Sequence, residues 1–351
     1  MSSLEARSDT ADVRVGVRTR DLSESRLNFI RQTGATDIFV DHADTEEEPD
    51  EFNDRQSIET LPVGRDAIPS VEELEAAQEQ VESHDLRFTG IQSLPYSLYG
   101  DIMFDRDGAD EALDQITTLV RNLGEAGVPI LGYQWNPRGV VPMRTDPVEL
   151  RGGAVGTGFD LDEIDEPDEL PPGIDREYTE AEFWDNYQRF LERVLPVAEE
   201  AGVELALHPV DPPVIESLGG IPRLFRNVEN FEKAMELVPS DNHGLKLCLG
   251  CFSQMGEDVE SVIRRFGERD QIVFIHFRDV VGSMPKFNET FVDEGNFDTS
   301  AAVRTLYDVG YDGVVIPDHV PQVVDDSDWR HRARALTVGY LGGVIDTVAT
   351  E

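Results

Sequence analysis

Short, almost wholly apolar runs, each followed by an amphipathic stretch of helical length, recur along this chain from one end to the other. Runs at 13–17, 36–40, 87–91, 129–133, 204–208, 245–249, 272–277 and 313–316 read as buried strands. The helices predicted between and after them span 22–33, 71–83, 107–126, 178–200, 227–238, 257–266, 298–308 and 329–348, with Ser70 and Thr179 placed as N-caps. Regular alternation of strand and helix calls for parallel strands joined by crossover helices. Eight such units in 351 residues, with no linker or internal repeat, predict one (β/α)8 TIM barrel spanning residues 1–351. Residues 1–12 are expected to be disordered and the acidic stretch 44–54 to be solvated surface. The Gly-, Pro- and acid-rich segment 136–176 reads as a long loop insertion after strand 4 and as a lid.

The ends of the last four runs carry the chemistry. Leu205-Ala206-Leu207 ends in His208, Leu245-Lys246-Leu247 in Cys248, Phe274-Ile275 in His276, and Val314-Val315-Ile316-Pro317 in Asp318 and His319. Strand side chains alternate between faces. Leu245 and Leu247 must face the helices, so Lys246 and Cys248 face the barrel axis, and the same parity turns His208, His276 and Asp318 inward. All four then lie at the C-terminal rim, where barrel enzymes keep their active sites. Two imidazoles, a thiolate and a carboxylate suit a borderline divalent ion such as Mn2+, Fe2+, Co2+ or Zn2+ better than Mg2+. His319, beside Asp318 but pointing differently, is the candidate proton carrier. Lys246 is expected to pair with Glu204 on the neighbouring strand. His42, His84, His243 and His331 are expected at the surface or behind the site, and Cys248-Leu249-Gly250-Cys251 also matches a redox C-x-x-C spacing.

Charge narrows the setting. Acidic residues number 71 against 30 basic ones, a formal net charge of -41, and the only lysines are Lys233, Lys246 and Lys286. Such a chain repels itself unless salt screens it. The expectation is a halophilic protein that works in molar salt, with nucleic acid and anionic membranes disfavoured as partners. No apolar run is long enough to span a bilayer and no signal pattern opens the chain, so a cytoplasmic location is expected. Its melting temperature is predicted to rise with KCl; an unchanged Tm between dilute and molar KCl would refute this.

Five motifs occur in order: His208-Pro209-x-Asp211-Pro212-Pro213, Cys248-x-Gly250, His276-Phe277-Arg278, Phe291-x-Asp293-x-Gly295 and Pro317-Asp318-His319. As a set they resemble the mannonate dehydratase family from about Leu22 onward, most closely between Tyr178 and Pro321. The resemblance implies a xylose-isomerase-like TIM barrel that uses Mn2+ or Fe2+ to dehydrate D-mannonate to 2-dehydro-3-deoxy-D-gluconate in hexuronate breakdown, and a possible homodimer. It implies metal ligands at His208, Cys248, His276 and Asp318 and a catalytic acid–base residue at His319. Arg144, in Arg144-Thr145-Asp146, and Arg278 would bind the sugar acid's carboxylate through their guanidinium forks, with Asp211 also at the substrate. The chain departs from the family pattern at Val17-Arg18-Thr19-Arg20, at Val210, at Gln92 in place of a glutamate, and near Ala335, where a tyrosine is expected and Tyr340 is displaced. A divalent-metal sugar isomerase or epimerase on the same barrel is the alternative reading.

Overall fold

The computed structural model describes residues 11–41, 61–65, 67–137, 144–164, 170 and 174–350. Strands β1 (Arg14–Thr19), β2 (Asp37–Val40), β3 (Arg87–Ile91), β4 (Ile130–Gln134), β7 (Glu204–His208), β10 (His243–Cys248), β11 (Ile272–His276) and β14 (Val314–Ile316) close into one barrel. Every neighbouring pair is parallel, and β14 returns to β1 with Arg14 opposite Val314. The fold is the (β/α)8 TIM barrel that the alternation predicts. No helix among the described residues is long and apolar enough to cross a membrane.

Period two sorts the apolar residues into two populations. Phe39, Ile130, Ala206, Val273, Phe274, Val314 and Ile316 form a small interior cluster, with the rings of Phe39 and Phe274 stacked at 4.3 Å. Leu205, Leu207, Leu245, Leu247, Ile275 and Val315 belong instead to the large cluster that the helices share. Inward parity is therefore as expected for Lys246 and Cys248, but the expected Lys246–Glu204 pair is not made. Glu204 lies at the base of β7, opposite Ile130, while Lys246 lies above the Leu245–Leu207 pair and donates to the Gln92 carbonyl at 2.8 Å. The stagger of a tilted barrel puts the two on different levels.

The outer layer comprises α1 (Glu24–Gln32), α2 (Val71–Glu82), α4 (Ala109–Ala126), α5 (Glu180–Ala201), α6 (Val228–Leu237), α8 (Val259–Gly267), α9 (Thr299–Asp308) and α10 (His331–Val348). Ser70 and Thr179 cap α2 and α5 in full capping boxes with Glu73 and Glu182. Two further helices escaped the periodicity: α3 (Tyr96–Met103) and α7 (Leu249–Met255). The α7 helix starts directly where β10 ends, and all its residues but Met255 are buried, so it shows no polar face to mark it.

The insertion is also more ordered than expected. In it β5 (Pro147–Glu149) and β6 (Val155–Asp160) join β12 (Val280–Ser283) and β13 (Lys286–Glu289) in an antiparallel sheet ordered β12-β13-β6-β5. A short hairpin, β8 (Ser217–Leu218) and β9 (Ile221–Pro222), follows β7. Arg151 Nη1 reaches Asp293 Oδ2 at 2.5 Å and ties the insertion to the loop after β13. In that loop Gly295 lies against Asp279: a Cβ would stand 2.0 Å from the carboxylate, so no larger residue fits without moving the loop. The stretch 44–54, residues 1–10 and His42 lie outside the described residues.

His84 bonds the Gln80 carbonyl at the end of α2, and His331 packs on Phe29 and Trp329. His243 is deeply buried: its Nε2 lies 2.7 Å from the Tyr133 hydroxyl, which in turn meets Tyr187 at 2.7 Å, joining β10, β4 and α5. Burial pushes His243 down to about 3. In the unfolded chain its pKa is about 6.5, so protons bind the unfolded state more tightly. Stability from this group is complete above about pH 6.5 and is lost as pH falls toward the folded value. His243→Gln is expected to flatten the acid side of stability between about pH 4 and 6.5. Urea midpoints against pH would measure this, and an unchanged slope would contradict it.

Candidate active site

Three strand ends and one loop deliver the predicted ligands to one point. One ligand atom from each of His208, Cys248, His276 and Asp318 can be chosen so that all lie within 4.8 Å of one another, and all four residues are buried. His208 ends β7, Cys248 ends β10, His276 ends β11, and Asp318 follows β14 after Pro317.

The donor atoms are oriented for a cation. His208 Nδ1 lies 2.7 Å from the Pro209 carbonyl, which can only accept, so this nitrogen carries the proton and Nε2 keeps its lone pair. That Nε2 is buried and has no hydrogen-bond partner. His276 Nδ1 is likewise buried and unsatisfied; it lies 3.3 Å from Asp318 Oδ2, in ion-pair range but out of line for a hydrogen bond. The Gln92 amide meets His276 Nε2 at 3.2 Å, and an amide can serve either tautomer by turning its nitrogen or its oxygen to the ring.

Electrostatics favour the deprotonated ligands. Burial raises the Cys248 thiol, but the nearby Cys251, the charge of Arg278 and the imidazoles of His208 and His276 outweigh it, holding Cys248 well below the ordinary thiol range. Burial and Cys248 push Cys251 the other way, well above it. Against the penalty of burial, His276, His319 and Arg18 hold Asp318 well below the usual carboxylate range. Beneath Cys248, burial lowers Lys246 to about 7, with Asp318 and Asp41 opposing. These donors fit a divalent transition ion: two imidazole nitrogens, one thiolate and one carboxylate, with orphaned nitrogens at the centre.

A second group adjoins the first. Asp211, Glu289 and His319 also approach one another within 4.8 Å, but arginines occupy the space around them. Arg144 grips Asp211 with both terminal nitrogens, at 2.9 and 3.0 Å, and donates to Glu289 as well. Arg278 donates to Asp211 at 2.8 Å, Asp318 at 2.9 Å, Glu289 at 3.3 Å and Cys251 at 3.3 Å. Two guanidinium groups make this group a charge-paired anion network rather than a cation site. Burial opposes ionisation of Asp211 and Glu289, and the arginines override it, so both stay below the carboxylate range. His319 Nδ1 lies 2.5 Å from Glu289 Oε1, and its Nε2 lies 3.8 Å from Asp318 Oδ2.

All eight predicted site residues are thus brought together. Glu289 was missed. It arrives on β13, and nothing distinguishes one more acid in a chain with 71 of them. Arg18, at the rim end of β1, was missed as well; it reaches Asp41 at 3.5 Å and Asp318 at 3.9 Å. Arg334 of α10 donates to the Asp318 carbonyl at 3.4 Å and steadies the loop that carries this ligand. The displaced Tyr340 lies on α10 beside Ser300 and Arg304 of α9, in the helical layer.

The D-mannonate dehydratase family model matches residues 19–351. The chain belongs to the D-mannonate dehydratase family. It is a hydro-lyase of that family on the xylose-isomerase-like barrel. A mannonate dehydratase of Streptococcus pneumoniae is 30% identical over 316 residues, covering 82% of this chain and 84% of that one. The crystal structure of mannonate dehydratase from Streptococcus suis superposes with a TM-score of 0.82 at 25% identity, covering 97% and 95% of the two chains. A xylose isomerase domain protein of Alicyclobacillus acidocaldarius matches at a TM-score of 0.60 and 13% identity over 97% and 100%, a likeness of fold alone.

Proposed function

We propose that this hydro-lyase converts D-mannonate to 2-dehydro-3-deoxy-D-gluconate, with His208, Cys248, His276 and Asp318 holding a divalent ion, Mn2+ or Fe2+. The observation that carries the reading is the buried, unpartnered Nε2 of His208 facing a thiolate, a second imidazole and a carboxylate. Bound there, the ion supplies Lewis acidity toward the substrate's oxygens.

The chain's own groups account for the rest. The reaction removes the proton on C2 and expels the C3 hydroxyl as water, and the resulting enol becomes the ketone as C3 takes a proton. His319 moves one of these protons through Nε2. With Nδ1 held by Glu289, the ring keeps one orientation, and Nε2 faces the ligand group. Arg144 and Arg278 receive the substrate carboxylate beside Asp211. Because both forks already hold Asp211 and Glu289, substrate binding shares those hydrogen bonds rather than meeting bare cations. The β5–β6 part of the insertion reaches the site through Thr157, which donates to Glu289 at 2.5 Å, and so serves as a lid that excludes water.

A cytoplasmic, salt-adapted enzyme acting on a small sugar acid, without nucleic acid partners and assembled as a homodimer, completes the reading; the net charge of -41 supports the first parts of it. The deciding assay uses purified protein in molar KCl with Mn2+ and D-mannonate and looks for a 2-keto-3-deoxy acid. Interconversion of ketoses without that product would favour the isomerase reading instead.

A further inference from the structure

We propose that Cys248 and Cys251 are an oxidation site: hydrogen peroxide closes the pair into a disulfide when the ion is absent, so disulfide and ion are alternative occupants of the Cys248 sulfur. The proposal rests on the metal reading above and adds to it a modification that the dehydration does not use.

The geometry points to the pair. Cys248 is the N-cap of α7 and Cys251 is the third residue of that helix. This is the relation that lets Ser70 reach Glu73 and Thr179 reach Glu182 in the capping boxes of the same chain. Side chains three apart on a helix have Cβ atoms about 5–6 Å apart, and a disulfide needs about 3.5–4.5 Å, a short approach at a helix start. The two sulfurs lie near enough for each to shift the other's ionisation in opposite directions.

Cys251 is also placed unlike a packing residue. Its neighbours Leu249 and Phe252 belong to the apolar core, whereas Cys251 accepts from Arg278 Nη2 at 3.3 Å. Gly250 keeps that arginine close, since a Cβ there would stand 2.7 Å from Arg278 Cγ and Nη1. There are only two cysteines, so neither has another partner in the chain. Both are buried. If a sugar acid reaches His208 and Asp318, as the proposed function requires, the smaller peroxide reaches Cys248 by the same route.

The step balances. The Cys248 sulfur attacks one peroxide oxygen, the O–O bond breaks, and the departing hydroxide takes up a proton to leave as water. The Cys251 sulfur then attacks Cys248 sulfur, the S–O bond breaks, and a second water leaves with the remaining proton. Two electrons pass from the sulfurs to peroxide, and Cys248 can no longer act as a thiolate ligand.

Mn2+ uptake by the untreated protein is measured first, by electron paramagnetic resonance. No uptake would sink the metal reading and this proposal together. Chelator-stripped protein is then treated with hydrogen peroxide, denatured, alkylated with N-ethylmaleimide and weighed intact. The expected result is zero alkylated thiols in place of two, a mass two hydrogens lighter, and recovery of both thiols with dithiothreitol. Protein loaded with Mn2+ should keep both thiols, and Cys251→Ser should instead gain oxygen on Cys248. Uptake of Mn2+ together with two surviving thiols in the stripped, treated protein would overturn the proposal and leave the metal reading standing. So would a disulfide that forms equally fast with Mn2+ bound.

Discussion

Asp318→Ala is expected to abolish divalent-metal uptake and turnover together, and to destabilise the protein. Asp318 does two jobs within one carboxylate: it faces His208, Cys248 and His276, and it accepts from Arg278 Nε at 2.9 Å. Removing it takes one donor from the ion and leaves the wholly buried Arg278 short of an anion beside His276 and Arg18. Breaking a buried pair from one side costs about 3–5 kcal/mol. Asp318→Asn separates the two effects, because it keeps the shape and an acceptor for Arg278 while weakening the hold on the ion. Titration with Mn2+ and urea unfolding in molar KCl would measure both. An Asp318→Ala protein that still bound one Mn2+ tightly would remove this residue from the ligand set.

His319→Asn is expected to lower kcat by about 10^2–10^4 while Mn2+ uptake stays intact. The residue belongs to the arginine–carboxylate network through Glu289 and Arg144 rather than to the ligand group, so its loss should leave the ion in place. Glu289→Gln tests the arrangement from behind: the ring would lose the anion that orients it, and kcat should fall more than KM changes. A His319→Asn enzyme with unaltered kcat would mean that protons reach the substrate by another route.

How far the site could be read in advance depended on the distance over which each rule acts. The strand ends at His208, Cys248 and His276 were legible because alternation over four or five residues fixes which way a side chain points. The same rule failed for Lys246 and Glu204, since which residues of neighbouring strands share a level depends on the stagger of the closed barrel. The α7 helix was invisible because burial of nearly every residue erased its periodicity. Glu289, Arg18 and Gln92 come from separate elements, and their meeting is not written in any local pattern.

From its sequence alone this protein was committed to eight strand–helix units, to leucines facing the helices, and to candidate metal ligands at or just past the strand ends, because backbone period and apolar spacing are local properties. The tertiary structure alone decided what surrounds those ligands: Arg144 clasping Asp211, Arg278 joining the two groups, and Glu289 against His319. Those contacts join residues 30 to 67 positions apart in the chain. Only closing the barrel and laying β6 and β13 over its mouth brings such distant charges into the low-dielectric space where pairing decides their ionisation.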